Sequence, residues 1–309
     1  GALGARSLLA TGDTGSMIGH NVVAYRDGLV LNGLRIEGEA PLMPYLVALS
    51  FRFFGENAFA ARLPAALFGL ATVTLMLAWL WRERVRTLSV FLFCAALLGN
   101  VSFFLYARNC RYYAVSMACF TAVAWVHLHR RGRGELWLAG LCGAVLLLAN
   151  YVLFVVLCLC LLVDTILWQQ RRRPYGWRDL VAAGILPMLA AGVAWLWWNP
   201  LRTGLGERLV KDGLWDKIRL FYWHWRDLNH SEMIVGPLLL ITAILAFWPR
   251  YVWFRRGMVA VAVYAVALTV FSIQTVTLSL KSDVRYFAAL LPLLIALQAF
   301  TVSELARMA

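Results

Sequence analysis

Long apolar runs separated by short polar stretches make up most of this chain. The runs lie at 58–81, 87–107, 111–128, 136–150, 151–168, 179–198, 233–249, 257–277 and 286–303. A helix crossing a bilayer needs roughly 20 mostly apolar residues, and most of these runs approach that length. The fourth and fifth are short and nearly continuous. Asn150–Tyr151 is the expected turn between them, with a single kinked helix as the alternative. The stretch 41–55 is apolar but broken by Pro41, Pro44 and Arg52, which predicts an interfacial or re-entrant helix rather than a span. The pattern predicts an all-α polytopic membrane protein with about nine transmembrane helices and interfacial helices in its first outer loop. One domain is expected over 1–309: a first loop at 1–57, six spans over 58–198, an outer loop at 199–232 and three spans over 233–309.

Composition supports the bilayer as solvent. The chain of 309 residues is 62% hydrophobic and only 15% charged, whereas a soluble domain is about half apolar and about a quarter charged. The net charge of +13 would suit nucleic acid if it formed one patch. Instead, much of the arginine sits in short clusters between apolar runs: Arg82, Arg84 and Arg86; Arg130, Arg131 and Arg133; Arg171, Arg172, Arg173 and Arg178; Arg250, Arg255 and Arg256. If the first span enters the cytoplasm at Arg82, strict alternation puts all four clusters inside, as the positive-inside rule requires. No nucleic-acid partner is expected.

The segments left outside are 1–57, 106–111, 150–151, 199–232 and 278–285. They hold most of the residues suited to chemistry: Asp13, Asp27, Glu37, Glu39, Arg108, Asn109, Arg111, Lys281, Asp283 and Arg285. An active site on the extracytoplasmic face is therefore expected. The six cysteines show no metal-ligand spacing, and all but Cys110 lie well inside apolar runs, so neither a disulfide framework nor a metal site is expected. The chain starts with Gly, and residues 1–12 are neither a signal peptide nor a span. The native N-terminus, with a first helix, is expected to lie upstream, and further native residues to lie past 309.

Each candidate motif carries a bland reading beside a functional one. Asp13, in Gly12-Asp13-Thr14-Gly15, is either a general base or a turn or capping aspartate. Arg108 and Arg111, in Arg108-Asn109-Cys110-Arg111-Tyr112-Tyr113, are three apart at the outer boundary. They either bind phosphate through bidentate hydrogen bonds or snorkel beside interfacial Tyr. Lys281 and Arg285, in Lys281-Ser282-Asp283-Val284-Arg285-Tyr286, would share one helix face, to hold a phosphate or to pair with Asp283. The aromatics of 199–232, including Trp215, Tyr222, Trp223 and Trp225, either stack on sugars or form an interfacial belt. His127 and His129, at a cytoplasmic helix end, read as surface residues. Asp164, near the cytoplasmic end of its span, is a minor functional candidate and the only charge expected to be buried in the spans.

The order of several motifs resembles the dolichyl-phosphate-mannose–protein mannosyltransferase-like family, which includes the bacterial lipid A aminoarabinose transferases. The carriers are Glu39-Ala40-Pro41-Leu42-Met43-Pro44-Tyr45, Phe54-Gly55-Glu56, Phe59-Ala60-Ala61-Arg62-Leu63-Pro64, Arg111-Tyr112-Tyr113 and Arg285-Tyr286, spread over about residues 12 to 300. The resemblance implies a GT-C glycosyltransferase fold that transfers a sugar from a polyprenyl phosphate to an extracytoplasmic acceptor: a lipid, a glycan or a protein. It implies that Asp13 is the catalytic acid of the first outer loop, without the second acid the family often has. Glu39 stands where the family has His or Lys, and Asn109 where an acid precedes its R-x-Y arginine; Arg108 is the candidate replacement for the lost cation.

The expected site therefore has Asp13 as base and Arg111, Arg285, Lys281 and Arg108 on the donor phosphate. Glu39, Asn109, Tyr113, Asn150, Tyr151 and Tyr286 are further candidates for substrate contact. Arg111 and Arg285 are expected to come together although far apart in sequence. No cofactor is expected, and the sequence offers no support for a divalent cation. Two rivals remain. A transporter or flippase predicts inverted repeats and ionisable residues near mid-membrane, and no repeat is evident. A degenerate membrane scaffold would account for the missing second acid and for Glu39. For the topology, thiol labelling of single-cysteine variants in sealed cells should mark positions in 199–232 and none in the four arginine clusters. Labelling of any cluster from outside would contradict it.

Overall fold

The computed structural model describes residues 2–12, 16–17, 24–26, 29–31, 35–36, 42–129, 132–168, 176–198, 213–232, 251–271 and 284–308. The run expected at 233–249 lies outside them, as do Arg130, Arg131, Arg171, Arg172, Arg173 and Arg250. In the first loop, α1 (Ala2–Thr11) packs on α2 (Leu42–Phe54). Between them lie two short antiparallel ribbons: β1 (Ser16–Met17) with β4 (Arg35–Ile36), and β2 (Ala24–Arg26) with β3 (Leu29–Leu31), Tyr25 opposite Val30. The helical class expected from the sequence holds, with these ribbons as an unanticipated addition. The apolar stretch at 41–55 is indeed a helix, ended by Gly55 in the left-handed region at φ +76.

The bundle itself is made of α3 (Ala58–Arg82), α4 (Thr87–Gly99), α5 (Val101–Arg108), α6 (Tyr113–His129), α7 (Arg133–Ala149), α8 (Tyr151–Trp168), α9 (Trp177–Trp198), α10 (Leu214–Glu232) and α11 (Val252–Phe271). A 3-10 segment, Val284–Leu290, then leads into α12 (Leu291–Met308). Among the described residues, five helices are long and apolar enough to cross a membrane, and six if the bent pair α4–α5 counts as one. The chain is an integral membrane protein. The stretch through α12 is largely enclosed by other helices, whereas α9 is mostly exposed at the edge.

Asparagines punctuate the helices. The Asn57 Oδ1 accepts from the Ala60 amide at 2.9 Å and starts α3. Asn100 accepts from the Phe103 amide at 2.6 Å, and here the run expected as one span at 87–107 bends by 66°. A capping side chain satisfies amides that a helix start leaves open, so a break costs little even where water is scarce. Asn150 does the same for α8, accepting from the Leu153 amide at 3.0 Å. Small residues allow close crossings. A Cβ on Gly69 would stand 2.8 Å from the Ala107 Cβ, and one on Gly140 would stand 2.8 Å from the Ala183 carbonyl oxygen. These contacts seat α5 on α3 and α9 on α7.

Polar contacts draw the arginine-bearing helix ends to one pole. The Glu83 carboxylate meets the His129 Nε2 at 2.7 Å, joining the ends of α3 and α6. The Arg133 Nε lies 3.3 Å from the Asp179 carboxylate, joining the starts of α7 and α9. The Tyr251 hydroxyl donates to Glu304 at 3.3 Å, joining the start of α11 to the end of α12. At the centre, Asp164 on α8 accepts from the Arg256 Nε of α11 at 2.7 Å and from a terminal guanidinium nitrogen of the same arginine, and meets the His127 Nε2 of α6 at 2.7 Å. Arg255 and Arg256 both lie over the Trp168 ring, 5.5 and 5.8 Å from its centroid.

This network corrects the expectation that His127 and His129 are surface residues: their side chains are only 11% and 10% exposed, because each is closed in by a carboxylate from another helix. Nor is Asp164 the only buried charge, since Arg256 and Glu304 are buried as well. Helix α11 begins earlier than its apolar run, so Arg256 falls within the helix rather than before it.

Removing one partner of a buried ion pair strands the other charge. Asp164→Asn should therefore destabilise the fold by about 3 kcal/mol, read as a lowered melting temperature in detergent. Replacing both partners with apolar residues, Asp164→Leu with Arg256→Met, should recover much of the loss. An unchanged melting temperature in Asp164→Asn would contradict the role given to this cluster.

Candidate functional site

The contacts that fix the basic pole also fix what lies opposite. The starts of α3, α6, α8 and the 3-10 segment, and the end of α5, are at the far pole. There the α5–α6 connection is held by the Cys110 thiol, which donates to the Ala61 carbonyl of α3 at 3.0 Å. This bond sets the loop carrying Arg108 and Arg111 beside the start of α3, where Arg62 follows Ala61. All three arginines are exposed. A tight contact from the Arg111 amide to the Asn109 carbonyl, 2.7 Å, turns the chain into α6. Near this pole the described residues also include Arg52, while the acid Glu56 is tied to Arg6 at 3.1 Å.

Arg285 opens the other half of the site. It is half-buried at the start of the 3-10 segment, with its guanidinium 5.4 Å from the centroid of the Tyr286 ring. The segment packs along α6, the helix that Arg111 precedes. Arg111 and Arg285 thus enter from the same pole on neighbouring elements. Below them the fully buried Tyr264 of α11 donates its hydroxyl to the Tyr286 carbonyl at 2.6 Å. Its ring rests against Phe120 of α6 and Phe287, with centroids 5.5 and 5.8 Å away.

The remaining sequence candidates divide. Asn109 is exposed at the end of α5, and Tyr151 and Tyr286 are half-buried at the pole. Tyr113 is 3% exposed and its ring packs at a tilt against Tyr106 and Tyr112, with centroids 4.9 and 4.6 Å away, so it serves packing. The Asn150 side chain serves as the cap of α8. Asp13, Glu39 and Lys281 lie outside the described residues, as do Asp27, Glu37 and Asp283. Among the described residues no cluster of three or more His, Cys, Asp or Glu side chains could hold a metal ion.

Part of the outer loop at 199–232 is the helix α10, which touches α11 and the 3-10 segment. Leu220, His224 and Leu228, four apart, form its buried face, and the His224 ring lies 5.3 Å from Phe287. His224 stands among the aromatics of 199–232 in the sequence, and its place on a buried face follows from the four-residue spacing with Leu220 and Leu228. Arg62 was legible only as part of a motif, and Tyr264 gave no signal within its apolar run.

An array of arginines at the end of a helix bundle, with aromatic rings beside it, suits an anionic headgroup at a membrane surface. No protein-family model matches the chain, and comparison with curated proteins finds no match. Two solved structures do match. They are ArnT from Cupriavidus metallidurans in the apo state, at a TM-score of 0.63 over 98% of this chain, and the same protein bound to undecaprenyl phosphate, at 0.60 over 100%. This chain has the ArnT fold. Identity is 19% in both cases, and the chain accounts for 54% and 55% of the ArnT chains, about half their length. The resemblance to the aminoarabinose transferase-like family read from the motifs is thus borne out in the fold.

Proposed function

We propose that this protein is a membrane glycosyltransferase that takes a sugar from a polyprenyl-phosphate donor and passes it to an extracytoplasmic acceptor. The observation that carries the reading is the likeness, over nearly the whole chain, to an ArnT that binds undecaprenyl phosphate. The arginines at the pole opposite the basic clusters support it. Under this reading the chain is one GT-C-type domain with about nine spans, and that pole faces the outside of the cell or the lumen.

The donor tail lies between helices with its phosphate at the interface. Arg111 and Arg285, with Lys281 and Arg108, hold the phosphate and stabilise the charge that develops as it leaves. Asp13 takes the proton from an acceptor hydroxyl. The acceptor oxygen bonds to the anomeric carbon as the bond from that carbon to the phosphate oxygen breaks. The electron pair leaves with the polyprenyl phosphate, and one displacement inverts the anomeric configuration. Sugar and acceptor would be named by mass spectrometry of glycans and lipids from a deletion strain.

Asp13→Asn tests the enzymatic reading. Loss of general-base help should lower transfer by about 10²–10⁴-fold, with expression and melting temperature unchanged. If Asp13 is only a helix cap, Asn replaces it almost without loss, because the two cap about equally well. Near-normal transfer by the variant would therefore end the claim for Asp13 and make Glu37 or Glu39 the next acid to test.

A further inference from the structure

We infer that Tyr264 is a positioning residue for the donor phosphate: its buried hydroxyl holds the Tyr286 carbonyl and so fixes where the Arg285 guanidinium stands. The inference rests on the donor reading above and adds to it a residue that touches no substrate.

Tyr264 lies in the middle of α11 and is 0% exposed. Its ring contacts with Phe120 and Phe287 are ones a phenylalanine would make equally well. The hydroxyl is what needs a reason, since a buried hydroxyl must find an acceptor. Of all the groups around it, the 2.6 Å bond goes to the backbone carbonyl of Tyr286, within the turn that carries Arg285. That turn is 3-10 rather than α-helical. Its own hydrogen bonds are poorer in geometry than those of an α-helix, so a bond from outside has more to contribute to its shape.

The same turn is gripped from two directions. Tyr264 holds the carbonyl from α11, and His224 of α10 packs its ring on Phe287. The Arg285 guanidinium lies over the Tyr286 ring. A shift of the Tyr286 peptide moves that ring and the arginine above it. Phosphate recognition by a guanidinium depends on the direction of its N–H fork, so a small rotation weakens binding without unfolding anything.

Helix α11 is itself anchored. Its second turn carries Arg256, bound to Asp164 at the basic pole. The eight residues from Arg256 to Tyr264 span roughly 12 Å of rigid helix. The ionic cluster thus sets the height at which the Tyr264 hydroxyl meets the turn.

The test is a double-mutant cycle on the full chain in lipid nanodiscs, with undecaprenyl phosphate as the probe and tryptophan fluorescence as the readout. Tyr264→Phe removes one oxygen and keeps the ring contacts, and a melting curve checks that it folds. Its dissociation constant should rise several-fold, up to about 10-fold, the most that the loss of one neutral hydrogen bond can pass on to binding. In an Arg285→Gln background the same change should have no further effect, because Tyr264 acts through that arginine. Unchanged binding by Tyr264→Phe, or an equal loss in the Arg285→Gln background, overturns the inference while leaving the donor reading standing. No binding by the wild-type protein overturns the donor reading itself, and the role of Tyr264 falls with it.

Discussion

Three ionisable side chains from three helices meet at Asp164, in a place where water is scarce. A lone carboxylate there would be costly, as would a lone guanidinium. Together they satisfy one another: Arg256 approaches Asp164 through two nitrogens, and His127 closes the remaining side of the carboxylate. Such a cluster tolerates one arrangement of α6, α8 and α11 and penalises any slip between them. In lipid there is little hydrophobic force to choose among packings, so a polar contact of this kind specifies what apolar surfaces do not.

The opposite pole inherits that order. Once α6 and α11 are fixed at their basic ends, Phe120 and Tyr264 meet further along, and the turn at Arg285 and Tyr286 is seated on both. Close crossings do similar work elsewhere. Gly69 lets α5 lie against α3, and the Cys110 thiol then ties the loop bearing Arg108 and Arg111 to the start of α3. Arg108, Arg111 and Arg285 are thus carried on or beside rigid elements.

The described helices and the common pole of the described cluster arginines were legible because both follow from the bilayer: length sets the span, and short basic loops stay on one side. What the sequence hid depends on contacts between distant segments. His127 and His129 look like surface residues beside Arg130 and Arg131, and nothing local reveals the carboxylates of Asp164 and Glu83 that enclose them. The bend at Asn100 was hidden because asparagine in an apolar run reads as a tolerated polar residue, when it is in fact a helix start. That Arg111 and Arg285 stand at run boundaries is something a one-dimensional pattern does show. Tyr264 is not legible in this way, since a hydroxyl within a run carries no mark of what it bonds to.

A structure of this protein with undecaprenyl phosphate bound would show whether the pole of Arg111 and Arg285 receives the lipid. Phosphate density is expected within hydrogen-bond reach of Arg111 or Arg285, with the polyprenyl tail running between helices. Phosphate bound at the basic pole instead, against Arg82, Arg84 or Arg255, would contradict this placement.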